Sequence, residues 1–283
     1  MTTEPAVLRI VAGKGGVGRS TVTAALAADA AASGRRVLAI DALGTGGLGQ
    51  LVASAGLSGF ETLRLTTRAS LDEYLKIYLR LPLGSSRLGP LAAIFDYVSA
   101  AAPGVRELLV IGKIGWEVRN GPWDEIVVDA PATGHVVELL TAPGSMAELI
   151  PTGPLADQTD WLSDVLAADT TTVTLVTLPE ELPVTETGEL HERIRTETAT
   201  RIEHLIVNRM PAAVEAAGLD EAHRLAAASS PVGAVARLAA ARFQAAEAQT
   251  DRLAALGPVL VPVEDRPDDP VGAVRAAIED RSP

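Results

Sequence analysis

The sequence predicts an α/β fold: a mostly parallel sheet with helices on both faces, plus a small helical insertion. Three observations carry that expectation. Short apolar, β-branched runs alternate with helix-patterned stretches along all 283 residues, the order that builds parallel sheets from βαβ units. The first such run, residues 6–11, passes through a glycine-dense turn into an alanine-rich helical pattern. Aromatic residues make up only 3% of a chain that is 47% hydrophobic, so the core must be built from Ala, Val, Leu and Ile, as suits a sheet buried on both faces.

In chain order, residues 6–11 read as the first strand, and 20–33 as a helix that Gly34 ends. Residues 36–41 form a second strand and complete a βαβ unit. Residues 42–50, with glycines at 44, 46, 47 and 49, read as a flexible loop: a ligand-sensing switch or an ordinary turn. Residues 61–66 alternate as a strand. From 70 to 120 the spacing becomes helical, punctuated by Pro82 to Ser86 and by Pro103-Gly104. That insertion either carries substrate or partner contacts or simply covers the sheet. Residues 124–129 are a strand ending in Asp129, 145–168 look helical, and 171–178 are a strongly β-branched strand. Residues 179–187 open a further helix. A strand at 202–207 ends at Asn208-Arg209-Met210-Pro211, followed by an alanine-rich helix at about 232–256, a last strand at 259–263 and a closing helix at 270–279. No internal repeat and no long linker divides the chain, so residues 1–283 are expected to form one domain with a helical subdomain at about 68–122.

The turn after the first strand is Gly13-Lys14-Gly15-Gly16-Val17-Gly18-Arg19-Ser20-Thr21. Strand, glycine-rich turn and helix form the context of a phosphate-binding loop. Glycines let backbone N–H groups crowd a polyphosphate, and the helix N-terminus adds a positive partial charge. Gly13, Gly15, Gly16, Val17 and Gly18 would supply that cradle, with Arg19, Ser20 and Thr21 at the helix start. Ser20 is the candidate Mg²⁺ ligand and Arg19 a cation near the β- and γ-phosphates. Asp129, at the end of a buried strand, is the matching magnesium carboxylate. Lys14 stands too early in the loop to do the work of position 19 and could instead reach a partner's phosphates. His135 has no clustered partner in sequence, is read as a structural hydrogen-bonding residue, and is assigned no metal.

Composition narrows the remaining classes. With 24 Lys and Arg against 36 Asp and Glu, the net charge is −12, a poor basis for phosphate-neutralising nucleic-acid binding. There is no cysteine, which removes disulfides, thiol catalysis and thiolate metal sites. With the first strand expected to begin within about six residues and no long uncharged apolar run present, neither a signal peptide nor an integral membrane segment is expected. The expectation is a cytoplasmic protein.

The Gly-Lys-Gly-Gly-Val-Gly start resembles the deviant Walker A loop of SIMIBI-class P-loop NTPases, and several further stretches resemble one branch, the ArsA family of anion-pump and tail-anchored-protein-targeting ATPases. Asp129-Ala-Pro-Ala-Thr-Gly-His135 is similar to that family's second switch. Leu178-Pro-Glu-Glu-Leu-Pro-Val-Thr-Glu-Thr187 is similar to its Pro-Glu…Glu-Thr segment. Val207-Asn208-Arg209 resembles the strand end whose asparagine reads adenine, and Pro258 to Pro262 before Glu264 resembles the terminal loop over the base. The resemblance spans most of the chain except about 60–120, and is closest to the short ArsA-like paralogues of actinobacteria. It implies ATP and Mg²⁺ as ligands, with Asn208, Arg209 and Pro262 at the base. It also implies a nucleotide-gated homodimer, or a heterodimer with a paralogous ArsA-like ATPase, in which Lys14 crosses the interface. A protein client is open, and nucleic acid is not expected.

The departures from the family matter equally. Ungapped alignment of the second strand puts Leu43 and Gln50 where the family carries two aspartates, the later of which positions the attacking water. Arg19 replaces the loop lysine, and a planar guanidinium is not equivalent to an ammonium. Lys14, Arg19 and Gln50 are therefore the candidates for catalysis, with Gln50 orienting water as glutamine does in some GTPases. The expected function is an ATP-binding, slowly hydrolysing subunit that acts as a nucleotide-gated dimeric switch. The alternative is a non-catalytic pseudo-ATPase scaffold that completes a paralogue's site. A partition-type ATPase on DNA or membrane is disfavoured by the charge and by the lack of a basic amphipathic C-terminal helix. The missing cysteines and only three methionines argue against transferring metalloid pumping or tail-anchor delivery.

Overall fold

The computed structural model describes residues 5–42, 45–66, 105–131, 133–149, 154–211, 224 and 231–280. These build a seven-stranded sheet in the order β3-β2-β4-β1-β5-β6-β7, and every strand pair is parallel. The strands are β1 (Val7–Gly13), β2 (Val37–Asp41), β3 (Glu61–Arg64), β4 (Glu125–Asp129), β5 (Thr171–Thr177), β6 (Arg201–Met210) and β7 (Val259–Glu264). The helices among the described residues are α1 (Arg19–Ala32), α2 (Gly47–Ser54), α3 (Val105–Asn120), α4 (Thr133–Leu149), α5 (Pro154–Ala167), α6 (Glu181–Glu197), α7 (Pro231–Ala254) and α8 (Pro270–Glu279).

The central strands β2, β4 and β5 are buried along their whole length, which is why they read as continuous apolar or threonine-rich runs rather than alternating ones. Two core layers cover the sheet. On one face Val22, Ala24, Ala25, Ala27 and Ala30 of α1 pack with Leu48 of α2 and Val271 and Val274 of α8. On the other, α3 to α7 contribute Ile111, Ile114, Val136, Leu139, Leu162, Leu190, Ile194 and Leu253. Small alanines on α1 let its backbone lie close to the strands, which compensates for the scarcity of aromatic filling. The closing helix is set by Pro270 in its first turn and by Asp269, whose Oδ1 accepts from Gly272 N at 2.8 Å.

Two element readings need correction. The segment read as a glycine-rich loop through Gln50 becomes helical at Gly47. Burial of Leu48, which is 1% exposed, outweighs the low helix propensity of Gly47 and Gly49. The helix expected to begin at 145 instead starts at Thr133 and runs as α4 through Pro143, and α5 follows as a separate helix. Gly134, Pro143 and Gly144 disfavour a helix here, yet Val136, Val137, Leu139 and Leu140 bury one face against the core and hold the helix together. Of the helical insertion, α3 is described; residues 67–104 lie outside the described residues, as does Leu43.

From β1 the chain passes to β2 and β3, returns to β4 beside β1, and then crosses to β5, β6 and β7 on the other side. In an open parallel sheet, ligands bind beyond the carboxyl ends of the strands where the order reverses. The glycine loop leaves β1 at that point.

Candidate functional site

The loop is shaped by close backbone approach. A Cβ on Gly13 would stand 2.2 Å from the carbonyl oxygen of Val176 on β5, so only glycine fits there. Gly18, at φ +99, caps α1 in the left-handed region, and a Cβ on it would stand 2.2 Å from Asn208 Nδ2. Asn208 braces the loop: its Nδ2 donates to the carbonyl of Val17 at 2.9 Å, and its Oδ1 accepts from Arg209 N at 3.0 Å. Val17 itself is buried in the α1-side core and anchors the loop, while Gly15 and Gly16 are exposed. The family resemblance implies a base contact for Asn208; within this chain its amide is tied to the loop.

Below the loop, three strand ends converge. Asp41 of β2 and Asp129 of β4 are direct register partners, both buried. Ala42 N donates to the Asp129 carbonyl at 3.2 Å, and Ala130 N to that of Val11 on β1 at 3.0 Å. Ser20 Oγ donates to Asp129 Oδ2 at 2.5 Å. The other oxygen, Oδ1, is buried with no hydrogen-bond partner. Burial pushes the Asp129 carboxyl above the ordinary carboxylate range; the Ser20 hydroxyl and the Arg19 cation oppose that shift, and Asp41 adds to it. A buried carboxylate oxygen without a donor, beside a second carboxylate and a helix-start hydroxyl, is a donor set made for a hard divalent cation. The residues present therefore fit Mg²⁺. Asp41, which holds Gly46 N through Oδ2 at 2.7 Å, was read only as a strand end. Its signal was available, a carboxylate closing a buried strand just as Asp129 does, and tertiary register makes the two neighbours.

Arg19 is 8% exposed, and its guanidinium donates to the Ala130 carbonyl. Burial lowers its pKa from the arginine norm, opposed by Asp129. Arg19 thus clamps the start of the segment after β4 from its place in the loop. Lys14 points elsewhere: Nζ lies 2.7 Å from Glu186 Oε1 on α6.

Beside the α1 start, a cavity of about 400 Å³ is lined by Thr21, Asn208, Arg209, Glu264, Arg266 and Pro270 among others. Its location next to the loop suits the nucleoside end of a nucleotide. Arg209, which lines this cavity, adopts the left-handed conformation at φ +56. Pro262 pairs with Val207 inside the sheet, and the residues after it, from Glu264, line the cavity instead. Gln50 is exposed on α2.

A parallel sheet whose first strand runs through a glycine loop onto a helix start, with a serine–aspartate pair beneath it, defines a phosphate-loop nucleotide-binding protein. The CobQ/CobB/MinD/ParA nucleotide binding domain family matches over residues 8–233, and the chain belongs to that family. It is 34% identical over 235 residues to ATPase BagA of Mycobacterium tuberculosis, an alignment covering 76% of this chain and 68% of BagA. It is 26% identical over 142 residues to ATPase get3 of Schizosaccharomyces japonicus, covering 47% of this chain and 43% of that protein. It is also 26% identical over 147 residues to ATPase GET3 of Malassezia globosa, covering 49% and 43% respectively. These relatives agree with the ArsA-like assignment read from the motifs. No helix among the described residues is long and apolar enough to cross a membrane.

Proposed function

We propose that the chain is an ATP- and Mg²⁺-binding switch subunit that associates face to face with a second nucleotide-binding subunit, itself or a paralogue, and hydrolyses ATP slowly. The observation that carries this reading is the Ser20–Asp129 contact at 2.5 Å with Asp129 Oδ1 left unpaired and Asp41 alongside. When bound, Mg²⁺ would neutralise phosphate charge there. Ser20, Asp129 and Asp41 would hold it, and the loop N–H groups would hold the phosphates. Asp129 is followed directly by the Arg19-held Ala130 and then by α4, so a change at the phosphates would pass into that helix. Slow turnover follows from an exposed Gln50 in place of a positioned carboxylate and from an Arg19 already engaged with Ala130. Under this reading residues 1–283 are one nucleotide-binding domain, with a helical subdomain at about 68–122, acting in the cytoplasm.

Equilibrium ATP binding with and without Mg²⁺ tests the proposal. Binding strengthened by Mg²⁺ is expected, and no binding at millimolar ATP would sink it.

A second reading, a pseudo-ATPase scaffold that completes a paralogue's site, is favoured by one observation: the Arg19 guanidinium is committed to a backbone carbonyl. Single-turnover hydrolysis by the isolated chain separates the two. Measurable slow turnover supports the first reading, and turnover seen only after adding the paralogue supports the second.

A further inference from the structure

We propose that Glu107, His135 and Glu138 form a binding site for a divalent transition cation of the Zn²⁺ class, joining α3 to the first turn of α4. One ligand atom from each residue can be chosen so that all three lie within 4.8 Å of one another. His135 Nδ1 is 2.9 Å from Glu138 Oε2. A small rotation of side chains that are exposed or half-buried would bring such a trio to the spacing of ligands around one ion. The i, i+3 relation puts His135 and Glu138 on the same face of α4, and Glu107 comes from the facing helix. The sequence could not show this trio, because Glu107 is remote in the chain from His135.

The donor set fixes the class of ion. Imidazole with two carboxylates suits Zn²⁺ and its first-row neighbours, whereas Mg²⁺ prefers an all-oxygen shell like that of Ser20, Asp129 and Asp41. Three protein ligands leave coordination open. Glu107 and His135 also line a cavity of about 240 Å³ whose other walls include Ala42, Arg106, Val110 and Pro131. Water or a small anion can complete the shell from that side, with Arg106 present to favour an anion. The cavity links the trio to the nucleotide site: Ala42 directly follows Asp41, and Pro131 follows Asp129-Ala130. A cation here would tie α3, the described end of the helical insertion, to the helix that begins just after Asp129.

Titration of the nucleotide-free full chain with Zn²⁺ alone, followed by calorimetry, tests the site. One equivalent is expected, with affinity falling about tenfold or more in His135→Ala and in Glu107→Gln, since losing a direct ligand costs no less than the roughly 10- to 100-fold typical of outer-shell changes. The equivalent should persist in Asp129→Asn. Cobalt substitution should give a visible absorption band that His135→Ala abolishes, a readout that nucleotide chemistry does not move. Far-ultraviolet circular dichroism confirms that each variant is folded; His135 and Glu138 are exposed, so Glu138→Gln serves as a third variant if Glu107→Gln is unstable. Absence of binding at micromolar Zn²⁺, equal affinity in the variants, or loss of the equivalent with Asp129→Asn instead would each overturn the proposal.

Discussion

Glu186 holds Lys14 within its own chain, with Nζ 2.7 Å from Oε1 and the second carboxylate oxygen buried without a partner. The loop lysine that would reach across to a partner's phosphates is paired at home. Both side chains are about one-third exposed, 37% and 30%, so the pair contributes only about 0.5–1 kcal/mol. Glu186→Gln is therefore expected to raise ATP-dependent self-association, or association with a paralogue, by about two- to fivefold. Lys14→Ala should weaken association while leaving the unfolding midpoint nearly unchanged. Sedimentation at fixed ATP measures both; unchanged association in the two variants would remove Lys14 from any interface.

Asp129 sets stability against binding. Its carboxyl is raised in the folded state by burial, so the stability it contributes is present below the ordinary carboxylate pKa and is lost as pH rises through the folded value. Ionising this carboxyl in the nucleotide-free chain therefore costs stability. Asp129→Asn should leave the melting midpoint equal or higher, and should weaken Mg²⁺-dependent ATP affinity by about tenfold or more through loss of a charge-assisted ligand. Thermal unfolding paired with ATP titration checks the two signs together.

Gly18 and Asn208 are coupled sterically. Gly18→Ala places a methyl against Asn208 Nδ2 and forces a side chain into a φ of +99. The expected loss is about 1–3 kcal/mol. Adding Asn208→Ala should recover the steric part and retain the backbone part, giving a non-additive double-mutant cycle measured by denaturant unfolding.

Arg19 links the loop to the segment after β4. Arg19→Ala strands the Ala130 carbonyl and leaves Asp129 with one fewer cation nearby. A destabilisation of about 1–3 kcal/mol follows. Chemical denaturation checks it; an unaffected midpoint would show that the clamp is not structural.

His204 makes stability fall on acidification. Burial lowers its pKa, opposed by Glu203, with Arg9 and Arg201 reinforcing the shift; burial likewise lowers that of His191. A group depressed in the folded state contributes stability above its unfolded value, about 6.5, that is lost as pH falls through the folded one. Unfolding midpoints should decline from pH 7 towards pH 5, less so in His204→Gln.

Much of this protein was determined by local sequence. Period-two and continuous apolar runs separated by helical patterns state an α/β fold, because burial on both faces of a parallel sheet leaves no polar positions to alternate. The Gly13 to Thr21 stretch announces a phosphate loop, because few other sequences let backbone N–H groups crowd so closely. Other features were decided only by tertiary structure. Asp41 became the companion of Asp129 because β4 threads between β1 and β2, and register, not spacing, makes neighbours. Lys14 met Glu186, and His135 met Glu107, across elements far apart in the chain. Gly47 to Ser54 and Thr133 onward became helices although glycine and proline argued otherwise. Burial of Leu48, and of the Val136 to Leu140 face, outweighs intrinsic propensities of about 1 kcal/mol per glycine, and that balance is struck only once the sheet is there to pack against.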